Sequence, residues 1–398
     1  MLQIAVLNQT GLGEPRVALA PAGVKKLAAL NVTVAVERGA GLLAGFRDDD
    51  YAAVGATPVD PGAADASADI VLVVRDPGAD RIARLKPGCV LVGMLAPLGN
   101  HRLIEALNAR SVSGMALELL PRITRAQTMD VLSSQANLAG YKAVILAAAA
   151  APRIFPMLMT AAGTLQAAKV FVVGAGVAGL QAIATARRLG AVVSAYDVRP
   201  AVKEQVQSVG ARFVELPLDT ADAQDAGGYA KAQSGEVLDR QRRLLAKPVG
   251  ESDVVITTAL VPGQPAPKLI SADAVAAMKR GSVVVDLAAE RGGNCDLTAP
   301  GQTITTDGGV TVIGIENLSA TVPGHASQMF SSNVVNLLTT LIDKQGALKL
   351  DLEDAVVAGI LVCHGGTTVN GVVLKSLGLT VDSGVAVAAS VNSETKEA

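Results

Sequence analysis

The sequence is poor in aromatic side chains. Tryptophan is absent from the 398 residues, and Phe, Trp and Tyr together make up only 2%. The formal net charge is −2 at pH 7, so no excess of basic side chains points to nucleic acid. Few aromatic rings also leave little surface for stacking on bases or sugars. These shortages argue against nucleic-acid binding and against an aromatic platform for carbohydrate.

Cysteine is also scarce. The three cysteines, Cys89, Cys295 and Cys363, are far apart and lack the spacing of metal ligands. We therefore expect no metal site and no disulfide framework. Buried or free thiols in a reducing compartment are the simplest interpretation.

Long hydrophobic runs are missing, although half of the residues are hydrophobic and only 18% are charged. The longest apolar stretch lies around residues 143–151 and ends at Pro152 and Arg153, which is too short to span a bilayer. The first residues form a strand-like run without a basic region before it, so no signal peptide is predicted. We expect a soluble chain that could still dock on a membrane partner.

What the sequence does contain is a glycine-rich turn between a strand-like and a helix-like segment. Residues 170–173 are apolar, and Gly174, Gly176 and Gly179 follow in the spacing G-x-G-x-x-G. The first glycine allows the tight turn, the second lets a pyrophosphate approach the backbone, and the third lets the helix pack closely on the sheet. The helix N-terminus favours phosphate. The pattern predicts a dinucleotide site rather than a purely structural turn.

An acidic residue follows at the position that recognises ribose. Asp197 ends the next strand-like run, residues 192–196, where a carboxylate can accept hydrogen bonds from the adenine-side ribose. It would repel a 2′-phosphate, which favours NAD over NADP. Arg199 keeps NADP open as an alternative, because a nearby arginine can accommodate that phosphate.

Short apolar runs alternate with helical patterns along nearly the whole chain. This alternation predicts an α/β protein with two doubly wound, Rossmann-like domains, parallel sheets and a cleft between them. The strands are predicted at residues 4–7, 32–36, 70–74, 90–93 and 113–116, and then at 170–173, 192–196, 212–214, 254–257, 283–286 and 312–315.

The chain is expected to return to its first domain after the second. The predicted divisions are residues 1–135 plus 327–386 for the N-terminal domain, 136–326 for the nucleotide-binding domain, and 387–398 for a mobile tail. Long helices around residues 136–150 and 327–342 would link the domains. The polar stretch 216–247 is predicted to contain a functional loop, with a possible helix in its later portion.

A polar segment lies between the two predicted domains. It contains Arg122, Gln127, Asp130 and Ser133, and the last three would share one face if this segment is helical. The alternative is a helix cap, with Thr128 as the N-cap and Asp130 in the first turn. The position opposite the nucleotide domain favours a cofactor-contacting loop. An Arg–Asp pair with a Gln amide could bind a carboxamide and a ribose.

A general acid or base is hard to find. A dehydrogenase that acts on an alcohol or amine must move a proton as well as a hydride. Of the three histidines, His101 opens a surface-like helix and His364 lies near the C-terminus, while His325 is predicted in a loop after Pro323-Gly324. Each is expected to be structural or exposed, with His325 the strongest candidate for catalysis.

Four segments match one family. They are residues 13–23, residues 122–134, the glycine turn with its Asp197-Val-Arg-Pro continuation, and residues 278–293. Through them nearly the whole chain resembles the alanine dehydrogenase/transhydrogenase superfamily. Within it, the chain is similar to the NAD(H)-binding domain I of proton-translocating nicotinamide nucleotide transhydrogenases, in the form where domain I is a separate alpha-1 subunit.

The two branches of the superfamily differ at residues that handle protons. Alanine dehydrogenases carry a Lys before Glu-Pro and a His at the following strand end. Here the two segments read Val-Val-Arg-Asp-Pro at residues 73–77 and Gly-Met-Leu-Ala at residues 93–96. The Asp that precedes Gly-Gly in those enzymes is replaced by the Glu290-Arg291 pair. Hydride transfer between two nicotinamides creates no substrate proton. Correct positioning of the two rings is then enough for the reaction, without a general acid or base. Arg16 is then expected to be structural.

The resemblance also implies site residues. Arg122, Gln127, Asp130 and Ser133 match the loop that faces the nicotinamide end of NAD(H), and Gly227-Gly228-Tyr229-Ala230 matches a loop that folds over the nucleotide. The expected cofactor contacts are Gly174, Gly176, Val177, Ala178, Gly179, Asp197, Val198, Arg199, Gly228, Tyr229, Thr258, Ala259 and Leu260.

The activity that the resemblance implies is Re/Si-specific transhydrogenation. NADH bound to this chain would pass a hydride to NADP⁺ on a partner subunit, coupled to proton translocation through a membrane-spanning subunit. A homodimer is expected, held by its partners on the cytoplasmic face of the inner membrane. The alternatives are an NAD-dependent alanine or amino-acid dehydrogenase and a non-enzymatic NAD-binding regulatory module.

Overall fold

Strands and helices alternate along the chain and divide it into two units. The computed structural model describes residues 1–218, 234–261 and 263–379. Unit 1 consists of Met1–Gln135 and the chain from Val322 onward, and unit 2 consists of Ala136–Thr321. The loop predicted to fold over the nucleotide, residues 227–230, and the predicted tail, residues 387–398, lie outside the described residues.

The strands are short. In chain order they are β1 Leu2–Val6, β2 Val32–Glu37, β3 Thr57–Val59, β4 Ile70–Arg75, β5 Val90–Met94, β6 Ser113–Ala116, β7 Leu158–Thr160, β8 Gly163–Leu165, β9 Lys169–Val173, β10 Val192–Tyr196, β11 Arg212–Phe213, β12 Val254–Thr257, β13 Val283–Asp286, β14 Gln302–Thr305, β15 Thr311–Gly314, β16 Leu361–His364 and β17 Thr367–Thr368.

The helices alternate with the strands in both units. They are α1 Pro21–Leu27, α2 Asp48–Ala52, α3 Ala79–Ile82, α4 His101–Ala109, α5 Val131–Ala150, α6 Val177–Arg188, α7 Lys203–Ser208, α8 Gly235–Gly250, α9 Ala272–Ala276, α10 Pro323–Leu341, α11 Ala355–Ile360 and α12 Gly371–Ser376. Among the described residues, no helix is long and apolar enough to cross a membrane.

Each unit contains one large sheet. The strand order is β17-β16-β6-β5-β4-β1-β2-β3 in unit 1 and β11-β10-β9-β12-β13-β15-β14 in unit 2. The central strands of both sheets pair in parallel, which confirms the prediction of two doubly wound parallel sheets. The order reverses between β1 and β4 and between β9 and β12. Ligands of such sheets bind beyond the carboxyl ends of the strands at these reversals.

The central parallel strands are buried on both faces, because the helices that connect parallel strands cover the sheet. All four residues of β12 are 0% exposed, and β4 is buried from Ile70 to Val74. Such strands read as continuous apolar runs. The edge strands β14 and β17 are polar or exposed and gave no apolar run to recognise. Three strands at the sheet margins differ from the prediction of parallel pairing: β14, β16 and β17 pair antiparallel.

The start of α10 corrects one prediction. His325 lies in the first turn of this helix and not in a loop, because the helix begins at Pro323. Proline suits this position, since it has no N–H to leave unpaired and its φ is already helical. The His325 side chain is exposed.

The cysteines are buried and form no disulfide. Burial raises the pKa of Cys295 and of Cys363 to about 11, so both remain thiols at neutral pH. Over residues 1–218, 234–261 and 263–379, no group of three or more His, Cys, Asp or Glu side chains could hold a metal ion.

Candidate functional site

The glycine turn of unit 2 connects β9 to α6. Gly174 has a φ of +96°, and a Cβ there would lie 2.7 Å from Thr258 Oγ1. A Cβ on Gly179 would lie 1.9 Å from the carbonyl oxygen of Gly174. The fold itself therefore requires glycine at both positions, one for backbone conformation and the other for close packing of helix on strand.

Gly176 is different. Its φ of −73° is open to any residue, and a Cβ there would meet none of the described residues within 4 Å. Neither backbone strain nor packing against the described part of the chain explains a glycine at this position. The open space beside it is what a pyrophosphate needs to approach the backbone, so the residues present fit a dinucleotide.

The N-terminus of α6 opens onto this space. Gly176 is the N-cap and supplies no side-chain acceptor, and the first turn has no acidic residue. Leu180 is the first residue whose N–H bonds back within the helix, to Gly176 O at 2.8 Å. The N–H groups of residues 177–179 precede it and have no intrahelical acceptor. These donors, at the positive end of the helix dipole, favour an anion.

Asp197 lies directly after β10, as predicted, but its carboxylate is already engaged. It accepts hydrogen bonds from Ala175 N at 2.7 Å and Arg199 N at 2.9 Å. The Arg199 guanidinium adds two more, from Nε at 2.9 Å and Nη2 at 2.8 Å. A carboxylate has about four acceptor positions. A ribose hydroxyl would therefore share or replace contacts that Arg199 makes, which the sequence pattern did not indicate.

Thr258, Ala259 and Leu260 follow β12 and flank the glycine turn. Thr258 donates from its N–H to Val173 O at 2.8 Å and from Oγ1 to Gly174 O at 3.0 Å. The Leu260 side chain is 44% exposed. Unit 2 thus brings together three of the predicted groups: the glycine turn, the acidic strand end with its arginine, and this segment.

Sequence reasoning missed Asn294, which holds this segment. Its side-chain Oδ1 accepts from Ala259 N at 3.0 Å and its Nδ2 donates to Ala259 O at 2.8 Å. The only signal in the sequence is its place next to Gly293, at the end of a segment that carries the family resemblance. No local pattern shows which backbone a distant amide will bind.

The polar segment of unit 1 adopts two kinds of helix. Residues 124–129 form a 3₁₀ helix and α5 begins at Val131, so Gln127 and Ser133 do not lie along one α-helix. Asp130 caps α5 by accepting from Ser133 N at 2.9 Å and Ser133 Oγ at 2.5 Å. The alternative cap, Thr128, is wrong by two residues. Arg122 and Gln127 are exposed.

The sequence predicts that residues 73–77 and 93–96 lack the Lys and the His of the dehydrogenase branch. Arg75 Nε lies 3.4 Å from Glu14 Oε2, and a guanidinium does not give up its proton. Residues 93–96, at the following strand end, contain no side chain that can titrate. Arg16 is 2% exposed and binds Glu14 and Gln135, which supports the structural role expected for it.

The histidines are spread over unit 1. His364 Nδ1 lies 2.9 Å from Ser113 Oγ, joining β16 to β6. His101 occupies the first turn of α4 behind the Asn100 cap, and its side chain is exposed, like that of His325.

A cavity of about 490 Å³ lies within unit 1. It is bordered by Asn8 and Gln9 after β1 and by Asp76 after β4, with Arg81 and Arg102 among its polar neighbours. Arg81 is paired with the buried acids of its own unit. The cavity marks the strand-order reversal of this sheet, but no G-x-G-x-x-G sequence follows β1.

Comparison with known proteins covers nearly the whole chain. Residues 5–139 match the family described as "Alanine dehydrogenase/PNT, N-terminal domain", and residues 143–371 match its C-terminal domain. The NAD(P) transhydrogenase alpha-1 subunit of Rhodospirillum rubrum is 47% identical over 377 residues, covering 93% of this chain and 98% of the relative.

Solved structures agree. A transhydrogenase from Sinorhizobium meliloti superposes with a TM-score of 0.83 at 46% identity, covering 92% of this chain and all of that one. An L-alanine dehydrogenase superposes with a TM-score of 0.79 at 25% identity, covering 95% of this chain and 99% of that one. The chain therefore belongs to the alanine dehydrogenase/transhydrogenase family, in the branch of the NAD(P) transhydrogenase alpha subunits of the alpha-1 form.

Proposed function

We propose that unit 2 binds NAD(H), with the pyrophosphate at the N-terminus of α6. The observation that carries this is the open space beside Gly176, where the fold does not require glycine. The N–H donors of residues 177–179, which have no intrahelical acceptor, would bind the phosphate oxygens. Val177 and Ala178 would line the pyrophosphate, and Thr258, Ala259 and Leu260 would form a wall of the site.

The adenine-side ribose would bind at Asp197. For this, a ribose hydroxyl takes one of the acceptor positions that Arg199 now fills, while Val198 and Arg199 border the adenosine. The negative charge of Asp197 favours NADH over NADPH, because a 2′-phosphate would be placed beside a buried carboxylate. Arg199 remains the group that would accept that phosphate if the carboxylate were neutralised.

The chemistry we propose is direct hydride transfer to NADP⁺ held by a partner subunit. When bound, the nicotinamide supplies the hydride, and no substrate proton is produced or consumed. This agrees with residues 73–77 and 93–96, which lack the Lys and the His that the resemblance assigns to the dehydrogenase branch. Arg122, Gln127, Asp130 and Ser133 would contact the nicotinamide end, where their task is to orient it.

We propose that the chain contacts an NADP-binding subunit, a membrane-spanning subunit and a second copy of itself. The relatives are named as alpha subunits, which implies that further subunits exist. The membrane-spanning subunit would carry the protons. A homodimer would bring two copies of this chain to the cytoplasmic face of the inner membrane. The β7–β8 hairpin supports self-association, since Leu158, Met159 and Leu165 are 47%, 71% and 55% exposed.

A reconstitution experiment tests the function. The purified chain is mixed with the NADP-binding and membrane subunits, and exchange of labelled hydride between NADH and an NADP⁺ analogue is followed. Exchange that requires all components is expected. If NADH binds but no hydride moves, the chain is a regulatory NAD-binding module instead.

The amino-acid dehydrogenase alternative is supported by the likeness to L-alanine dehydrogenase and by the presence of Arg16. It is weakened by the ion pair that Arg16 makes with Glu14. Oxidation of alanine with NAD by the isolated chain would establish this alternative and overturn our proposal.

A further inference from the structure

Asn294 has a fully buried side chain, and its partners among the described residues are all backbone groups. It contacts both polar backbone groups of Ala259, and its Nδ2 also donates to Pro267 O at 2.9 Å. A buried amide with all three contacts made fixes the backbone it touches, because losing any of them leaves a buried polar group unpaired. Ala259 is the middle residue of the segment that flanks the glycine turn.

Asn294 is itself held by a buried carboxylate. Asp286, at the end of β13, is 0% exposed and accepts from the N–H groups of Asn294 at 2.7 Å and Cys295 at 3.0 Å. It also accepts from Ala288 N at 2.9 Å and from Thr298 Oγ1 at 2.6 Å. Strands β13 and β12 are neighbours. The carboxylate therefore fixes the loop after β13 to the end of its own strand, and the Asn294 side chain ties that loop to the segment after the neighbouring strand β12.

From these contacts we infer that Asn294 is a positioning residue for the nicotinamide half of the dinucleotide. This rests on the proposed NAD(H) site in unit 2. Asp197 follows β10 on one side of β9, whereas residues 258–260 follow β12 on the other side. A dinucleotide spans the strand-order reversal with one nucleotide half on each side. Loss of the Asn294 contacts should therefore displace residues 258–260, beside the nicotinamide half, and leave Asp197, beside the adenosine half, in place.

The test compares a whole dinucleotide with its adenosine half. Asn294→Ser removes the amide without adding charge. In the full-length chain, the affinity for NADH should fall by about tenfold, the effect of losing buried hydrogen bonds at a wall of the site. The affinity for 5′-AMP, measured by calorimetry, should stay within about twofold of wild type. A merely destabilised unit 2 would weaken both ligands together.

Asn370→Ser is the matched control. Asn370 is also a buried asparagine, with three hydrogen bonds to backbone groups, but it lies in unit 1. This variant should bind NADH and 5′-AMP as the wild type does. If Asn294→Ser does not fold, Thr298→Val is the substitute, because it removes one hydrogen-bond donor to Asp286. It should also weaken NADH binding without changing the affinity for 5′-AMP, but by a smaller factor.

Three outcomes separate the proposals. A weaker affinity for NADH with unchanged 5′-AMP affinity supports the inference. Unchanged NADH affinity in a folded Asn294→Ser variant, or parallel loss of both ligands, overturns it while leaving the proposed function intact. A wild-type chain that binds no NADH overturns the proposed function, and this inference with it.

Discussion

The two units have the same sheet plan but different strand ends. In unit 2, the chain turns at Gly174 directly from β9 into α6, and open space remains beside Gly176. In unit 1, the equivalent strand β1 is followed by Gln9, whose amide accepts from Val74 N at 2.7 Å and donates to Arg75 O at 2.7 Å. The Gln9 side chain thereby ties the chain after β1 to the end of β4, and it borders the cavity at this reversal point.

The helix that follows β1 also differs. α1 begins only at Pro21, after an N-cap alanine without a side-chain acceptor, and proline removes one of the N–H donors that a phosphate would bind. A doubly wound sheet therefore provides the place for a nucleotide, and the first residues after its central strand decide whether one can bind.

The largest expected effect comes from the second glycine of the turn. Gly176→Ala should leave the thermal stability unchanged, because a Cβ there meets no atom of the described residues, but should weaken NADH binding by about 100-fold through lost contacts with the pyrophosphate. NADH fluorescence titration and thermal unfolding measure the two quantities. Gly179→Ala is the comparison, since its Cβ would clash with Gly174 O and cost about 1–3 kcal/mol of stability. Unchanged NADH affinity in Gly176→Ala would mean that the open space is not the phosphate site.

The β7–β8 hairpin is a second feature that separates unit 2 from unit 1. Met159→Asp places a charge on the most exposed apolar side chain of the hairpin, at 71% exposure. If two copies associate through it, the dimer dissociation constant should rise by at least about tenfold, because a buried apolar side chain is lost from each copy. Analytical ultracentrifugation over a range of concentrations measures this. Leu12→Asp, at a 66% exposed site of unit 1, is the control, and an equal effect of both substitutions would argue against the hairpin.

Nucleotide choice should respond to the Asp197–Arg199 pair. Asp197→Asn removes the charge that repels a 2′-phosphate and releases the guanidinium to bind it. We expect the ratio of NADPH to NADH affinity to rise by about tenfold, the effect of one additional charge-assisted hydrogen bond. Arg199→Lys keeps the charge but not the planar fork and should change the ratio less. An unaltered ratio in Asp197→Asn would show that this carboxylate does not discriminate between the nucleotides.

Local patterns predicted the regions of this fold that depend on neighbours in sequence. The apolar runs identified the central strands, and the glycine spacing identified the turn from β9 to α6. They did not reveal that the Arg199 guanidinium pairs with the Asp197 carboxylate or that the Asn294 side chain binds the Ala259 backbone. These side chains meet their partners only after the fold forms. The edge strand β14 was missed because its exposed positions leave no apolar run.

The smallest expected effect lies in unit 1, where the polar segment is anchored to α11. The Arg125 guanidinium binds Asp354, with Nη1 2.7 Å from Oδ2 and Nη2 2.5 Å from Oδ1, and this contact lowers the pKa of the Asp354 carboxyl. A carboxyl whose pKa is lower in the folded chain stabilises it above the unfolded pKa, and this stabilisation disappears as the pH falls through the folded value.

Arg125→Gln should therefore reduce the free energy of unfolding at pH 7 by about 0.5 kcal/mol, because the arginine is half exposed and screened by solvent. The difference from wild type should shrink below about pH 4, near the ordinary pKa of an aspartate, as the carboxyl becomes protonated in both proteins. Urea unfolding at several pH values follows this change. A difference that persists undiminished in acid would assign the effect to packing of the arginine rather than to its charge, and the NADH affinity of unit 2 should not change at any pH tested.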